Sequence, residues 1–231
     1  MSVKNQFSKY AKEYKNHNII QQIVAKSLVR ELKFQPKRIL ELGCGSGQVY
    51  NHISWDLDFY KAIDFSSSMC ELHPKAQNVE VKCFDFDTQE FLDEIKDNDY
   101  EIVLSSSALQ WSKDLSKIIK HLAYITKEIN AVLFTSNTFK TIQEITNTKS
   151  PILDELSIKE AFSKYFTCEF ETIMYKLEFD NKKDLFDYIK KSGVSGGNAS
   201  LDFADAKKLY KEYNLNYLEF EVIFVKTISK L

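Results

Sequence analysis

The segment 38–47, Arg-Ile-Leu-Glu-Leu-Gly-Cys-Gly-Ser-Gly, constrains this chain more than any other. The sequence has only six glycines, and Gly43, Gly45 and Gly47 alternate within that one segment. Glycine used so sparingly belongs where a side chain would obstruct the backbone or where φ must be positive. An apolar run that enters alternate glycines, followed at 48–53 by residues able to begin a helix, reads as the first turn of an α/β nucleotide-binding fold. Backbone amides and a helix N-terminus can approach a ligand there.

The pattern downstream supports this. Strand-like runs at 38–43, 59–64, 79–84, 100–105 and 130–136 alternate with helix-like segments at 48–53, 67–72, 88–95 and 115–126. Such alternation predicts a parallel sheet with helices on both faces. Helical spacing at 139–146 and 158–166 is followed by two long β-rich runs, 168–179 and 217–226, expected to close the sheet as an antiparallel pair. Between them, 181–216 holds two helical stretches around a second glycine cluster at Gly193, Gly196 and Gly197, and is expected to form a substrate cap. Residues 7–32 lack glycine and proline and carry apolar residues at helical intervals, which predicts an N-terminal helical lid over 1–35.

Composition narrows the classes of function. At 44% hydrophobic, 28% charged and net charge −2, the 231-residue chain is an ordinary globular protein with no global signal for nucleic acid or an anionic membrane. It lacks an apolar run of the roughly 20 residues that a membrane helix needs and a signal-peptide core at its start, so a cytoplasmic location is expected. Cys44, Cys70, Cys83 and Cys168 have no metal-ligand spacing and are expected to be free thiols without a catalytic role. His17, His52, His73 and His121 are scattered and read as structural or exposed.

The turn has Gln48 where the dinucleotide fingerprint G-x-G-x-x-G requires its third glycine, which turns the reading away from dinucleotides. Asp64 ends the second strand, where a carboxylate can accept both ribose hydroxyls or cap a helix; Phe65 follows it and Met69 can line an adenine pocket. The third strand ends in Asp85-Phe86-Asp87. The fourth runs into Ser105-Ser106-Ser107-Ala108-Leu109-Gln110-Trp111, where Ser105 and Ser106 should lie over the ligand crevice, while Trp111 suits either core or site.

Together, Glu41–Gly47, Asp64, Asp85-Phe86 and Ser105–Trp111 resemble a class I S-adenosylmethionine-dependent methyltransferase. The resemblance implies a Rossmann-like seven-stranded, mostly parallel sheet with an antiparallel last strand, in a single domain spanning 1–231 with its cofactor core at 38–136. S-adenosyl-L-methionine is the implied cofactor, held by Glu41, Gly43, Gly45, Gly47, Asp64, Phe65, Met69, Asp85, Phe86 and Ser105. Phe7 to Tyr14, then Gln21, Gln110-Trp111, 188–194 and the last strand resemble one branch, the malonyl-acyl-carrier-protein O-methyltransferases of biotin synthesis. The trans-aconitate methyltransferases share much of the pattern.

That branch has Asp-Ile or Asp-Leu where this chain has Glu41-Leu42, and often an Asn where it has Ser106. The branch implies methylation of the free carboxylate of malonyl-acyl carrier protein or malonyl-CoA; separately, a monomer is expected. Tyr14 would sit near the transferred methyl, Gln21 would help close the site and Trp111 would form an apolar wall. Tyr14 can equally pack a helix on the sheet. Lys190 and Lys191 are either acceptor ligands or solvated lysines. The alternatives are a methyltransferase for a small soluble acid such as trans-aconitate and a non-catalytic S-adenosylmethionine-binding protein.

Overall fold

The structure, a computed structural model, describes residues 18–96, 99–191 and 203–230. Tyr14, His17 and the glycine cluster at 193–197 lie outside the described residues. Seven strands form one sheet in the order β3-β2-β1-β4-β5-β7-β6: β1 (Arg38–Leu42), β2 (Phe59–Asp64), β3 (Val79–Cys83), β4 (Ile102–Ser106), β5 (Ile129–Phe134), β6 (Phe166–Glu178) and β7 (Tyr217–Lys230). β1 to β5 pair in parallel, and β7 runs antiparallel to both β5 and β6. The expected closing pair is therefore present, with β7 inserted beside β5 and β6 on the edge.

The central strands β1, β2, β4 and β5 are buried almost end to end, as continuous apolar runs covered on both faces must be. Alternate side chains feed two cores. On one face Ile39, Ile102, Val132 and Phe220 meet Val24 and Leu28 of α1 (Ile19–Arg30). The same core takes in Leu185 of α7 (Lys182–Lys191) and Leu209 of α8 (Phe203–Glu212). On the other face Leu40, Val103 and Leu133 meet α3 (Gln89–Ile95), α4 (Leu115–Ile125) and α6 (Glu155–Ser163) through Phe91, Ile119 and Phe162. Two shorter helices, α2 (Ser67–Leu72) and α5 (Lys140–Thr146), complete the set. Among the described residues, no helix is long and apolar enough to cross a membrane.

Residues 48–53 do not form the expected helix; the chain makes a single 3-10 turn at Tyr50–His52. Six residues give few i→i−4 hydrogen bonds to offset nucleation, and the segment is used up descending to Trp55, whose indole N–H donates to the Pro36 carbonyl at 2.8 Å. What faces the ligand crevice is consequently a turn rather than the end of a long helix.

Strand order reverses between β1 and β4, so the carboxyl ends of these neighbours open a crevice at the topological switch point. The chain leaves β1 at Gly43 (φ +73), where an added Cβ would lie 2.0 Å from Cβ of Ala108 in the loop after β4. Gly45 (φ +50) faces open space, and a Cβ on Gly47 (φ +88) would lie 2.5 Å from Cδ of Pro74. Gly43→Ala therefore adds overpacking, about 1–3 kcal/mol, to left-handed strain of about 1–2 kcal/mol. Gly45→Ala carries the strain alone. Denaturant unfolding should show Gly43→Ala clearly the less stable; equal losses would refute the close approach.

Candidate active site

The crevice is a cleft of about 660 Å³. One side is the turn, Gly43 to Ser46, with Glu41 beneath it; Asp64, Phe65, Met69 and Phe86 line another; Ser106, Ser107 and Trp111 close it from β4, and Gln21 from α1.

Asp64 organises the nucleoside side. Its Oδ2 accepts the Gly45 N–H at 2.9 Å and its Oδ1 accepts the Ser66 N–H at 2.8 Å, so one carboxylate ties the turn after β1 to the start of α2. A carboxylate has about four acceptor sites, and those left over can still take ribose hydroxyls. Burial pushes its pKa up to about 6 against the lowering effect of these amides.

Glu41 is buried at the floor of the cleft. It accepts a hydrogen bond from the Tyr60 hydroxyl at 2.5 Å. Nδ1 of His73 lies 2.8 Å from the Pro74 carbonyl, which can only accept, so this nitrogen carries the proton and Nε2 turns a lone pair toward Glu41 Oε2, 4.0 Å away. Burial lowers the His73 pKa, so the ring is neutral, and burial raises Glu41 to about 8. With no cation beside it, Glu41 holds its proton at neutral pH.

The sequence-predicted residues divide. Gln21, Glu41, Gly43, Gly45, Asp64, Phe65, Met69, Phe86 and Trp111 all line the cleft. Ser105 does not: its side chain points into the sheet and its hydroxyl donates to the Leu42 carbonyl at 2.9 Å, a correction to its expected place over the crevice. The period-2 alternation of β4 hands that position to Ser106, and Ser107 joins it by adopting φ 61. Gly47 lies behind the turn against Pro74. Asp85 stands outside the lining, its Oδ1 accepting the Asp87 N–H at 3.0 Å. Thr88 caps α3, its hydroxyl oxygen accepting the Phe91 N–H, and Asp87 accepts the Lys113 N–H at 3.1 Å. Sequence reasoning missed Ser107, because nothing local marks a left-handed serine. It also missed Tyr60 and His73, which reach Glu41 only through folding.

Residues 40–133 match the methyltransferase domain family. A malonyl-[acyl-carrier protein] O-methyltransferase of Bacillus cereus is 26% identical, over 85% of this chain and 81% of its own length. One from Acetivibrio thermocellus is 24% identical over 97% and 92%. Among solved structures, the YcgJ protein of Bacillus subtilis superposes with a TM-score of 0.66 at 11% identity, covering 90% of this chain and 99% of that one. The plantazolicin methyltransferase BpumL, solved in complex with SAH, superposes with a TM-score of 0.54 at 14% identity, covering 97% and 93%. The matched domain contains the glycine turn, Asp64 and the β4 loop, the three elements that build the cleft. Residues 40–133 form a methyltransferase domain, and the chain has the class I S-adenosylmethionine-dependent methyltransferase fold. The cleft of this domain suits that cofactor: a glycine turn that admits close backbone approach, a carboxylate with spare acceptor sites, and apolar Met69 and Phe86.

Glu41 is the cleft acid whose pKa is raised further. Its folded pKa lies above the ordinary carboxylate value of 4.5, so the folded state binds the extra proton and stability falls as pH rises from about 4.5 through about 8. Asp64 acts in the same direction, but its titration is centred at about 6 and largely complete about one unit above that. Between about pH 6 and pH 9 the cofactor-free protein should lose Tm, and Glu41→Gln should flatten that loss; parallel pH profiles would contradict the assignment. Because the cofactor is a sulfonium cation, its affinity for the unsubstituted protein should rise over the same interval.

Proposed function

We propose that the chain methylates the free carboxylate of a malonyl thioester, carried on acyl carrier protein or coenzyme A, as an early step of biotin synthesis. The relatives' names support this acceptor. The observation that carries the reading is the chemistry of the cleft wall opposite the nucleoside side. Gln21 Oε1, Ser106 Oγ and Ser107 Oγ are buried there without partners, and no lysine, arginine or histidine lines the cleft among the described residues.

A carboxylate is ionised at neutral pH, so it is already a nucleophile and needs no general base. What it needs is orientation, and removal of the water that would blunt its charge. The neutral hydroxyls of Ser106 and Ser107 can donate to a carboxylate and orient it without neutralising it as a lysine would. S-adenosylmethionine supplies, when bound, a methyl group on a positively charged sulfur. The chain's residues place the acceptor oxygen in line with it. Trp111 walls the cleft with an apolar surface that excludes water, and its neighbour Gln110 donates from Nε2 to the Ser107 carbonyl at 2.8 Å, holding Ser107 in its left-handed conformation. Tyr14, outside the described residues, belongs in this reading beside the transferred methyl. Asp85 belongs at the adenine amino group, and Lys190 and Lys191 at the carrier's phosphopantetheine.

Labelled-methyl transfer should occur to malonyl-acyl carrier protein or malonyl-CoA and not to trans-aconitate. Transfer to trans-aconitate alone would replace this reading with the small-acid one, and cofactor binding with no transfer to any acceptor would defeat both. Ser107→Ala removes one hydrogen bond to the acceptor, about 1 kcal/mol, and should cut kcat/KM for it by roughly 5- to 10-fold. Cofactor affinity should change less than about twofold; an equal loss on the cofactor would move Ser107 to the cofactor's side of the cleft.

A further inference from the structure

Three of the four cysteines meet beside the glycine turn, although they are far apart in sequence. Cys44 belongs to the turn, Cys70 to α2 and Cys83 to the end of β3. The β2–β3 register sets Asp64 opposite Cys83, and α2 begins just after Asp64, which brings Cys70 over the carboxyl ends of both strands. Cys70 Sγ lies 3.6 Å from the Asp64 carbonyl and 3.6 Å from the Lys82 carbonyl, and Cys83 Sγ lies 3.6 Å from the Phe65 carbonyl. The Cys70 thiol is in hydrogen-bond contact with Cys44 on one side and Cys83 on the other. The file runs from buried Cys44 through half-buried Cys70 to exposed Cys83.

The polarity of the file matters. The contact between the Cys44 and Cys70 thiols raises the Cys44 pKa and lowers that of Cys70, and the Cys44 thiol donates to the Gly45 carbonyl at 3.7 Å. The central thiol is therefore the one with thiolate character, and an accessible thiol touches it. That is the arrangement of an attacking cysteine with a resolving partner. Cys168, on β6, is a contrast: burial alone pushes it up to about 11.

We propose that Cys70 and Cys83 form a peroxide-oxidisable pair whose disulfide weakens cofactor binding. The Cys70 thiolate attacks hydrogen peroxide; the O–O bond breaks, a Cys70 sulfenic acid forms and the departing hydroxide takes up a proton as water. The Cys83 sulfur then gives up its proton and attacks the Cys70 sulfur; the S–S bond forms and the S–O bond breaks, releasing a second water. Two thiols are oxidised and one peroxide is reduced to two waters. A disulfide brings the sulfurs to about 2.05 Å, well inside hydrogen-bond contact, so α2 is drawn toward β3. α2 carries Met69 in the cleft wall, and the Ser66 amide at its start holds Asp64. Moving that helix displaces both from the cofactor.

The test uses the full chain. After treatment with hydrogen peroxide, tryptic peptides are analysed without reduction; cleavage after Lys75 and Lys82 separates the two cysteines. S-adenosylmethionine affinity is measured in parallel by calorimetry. A Cys70–Cys83 linked peptide should appear, with affinity falling roughly tenfold, the size of about one lost hydrogen bond, and returning on addition of dithiothreitol. Cys83→Ser should bind cofactor normally and keep its affinity through peroxide treatment, while Cys168→Ser should behave as the unsubstituted chain. A Cys44–Cys70 link, a Cys70–Cys83 link with unchanged affinity, or loss of affinity in oxidised Cys83→Ser would each overturn the proposal.

Discussion

The carboxylate of Asp64 is the interaction on which the rest of the site depends. By accepting one amide from the glycine turn and another from the start of α2, it fixes the ends of two connections that would otherwise be free loops. A carboxylate that binds two amides in a buried place is both strong and costly: charge-assisted hydrogen bonds form, but the charge loses its water. The protein meets that cost at the carboxyl ends of the parallel strands, where the fold leaves a crevice in any case. Gly43 makes the arrangement possible on the other side, because only a residue without Cβ lets the turn lie against Ala108.

The electrostatics of the cleft follow from this. Two buried acids, Glu41 and Asp64, share a site whose lining includes no cation among the described residues. Burial pushes both toward their protonated forms, and for Glu41 it outweighs the Tyr60 hydroxyl, whose hydrogen bond favours the carboxylate. A cationic ligand reverses the balance. A positive charge beside them favours their ionised forms. The other wall is built differently, from the neutral hydroxyls of Ser106 and Ser107 and the amide of Gln21.

Much of the fold was legible in the sequence because glycine is scarce and the apolar runs are regular. The alternation from residue 38 predicted the parallel strands, and the pair of long β-rich runs predicted β6 and β7. Asp64, Met69, Phe86 and Trp111 were legible as cleft residues because each stands at a strand end or just beyond it. The failures share one cause: local patterns carry no information about side-chain direction past the last regular residue. Ser105 was placed in the crevice one residue too early, since the strand continues through Ser106 and the alternation turns Ser105 inward. Residues 48–53 have helical composition but lack the length to sustain a helix. The Glu41–Tyr60–His73 group and the three-thiol file exist only through strand register and helix placement, so no linear spacing announces them.

The central claim is that one cleft, clamped by Asp64, holds S-adenosylmethionine at the switch point between β1 and β4. Its most direct test is a crystal structure of the chain with S-adenosylhomocysteine. The ribose hydroxyls should lie within hydrogen-bond distance of Asp64 while its bonds to Gly45 and Ser66 persist, with the adenine between Met69 and Phe86. A ligand bound elsewhere, or a ribose held without Asp64, would contradict the account.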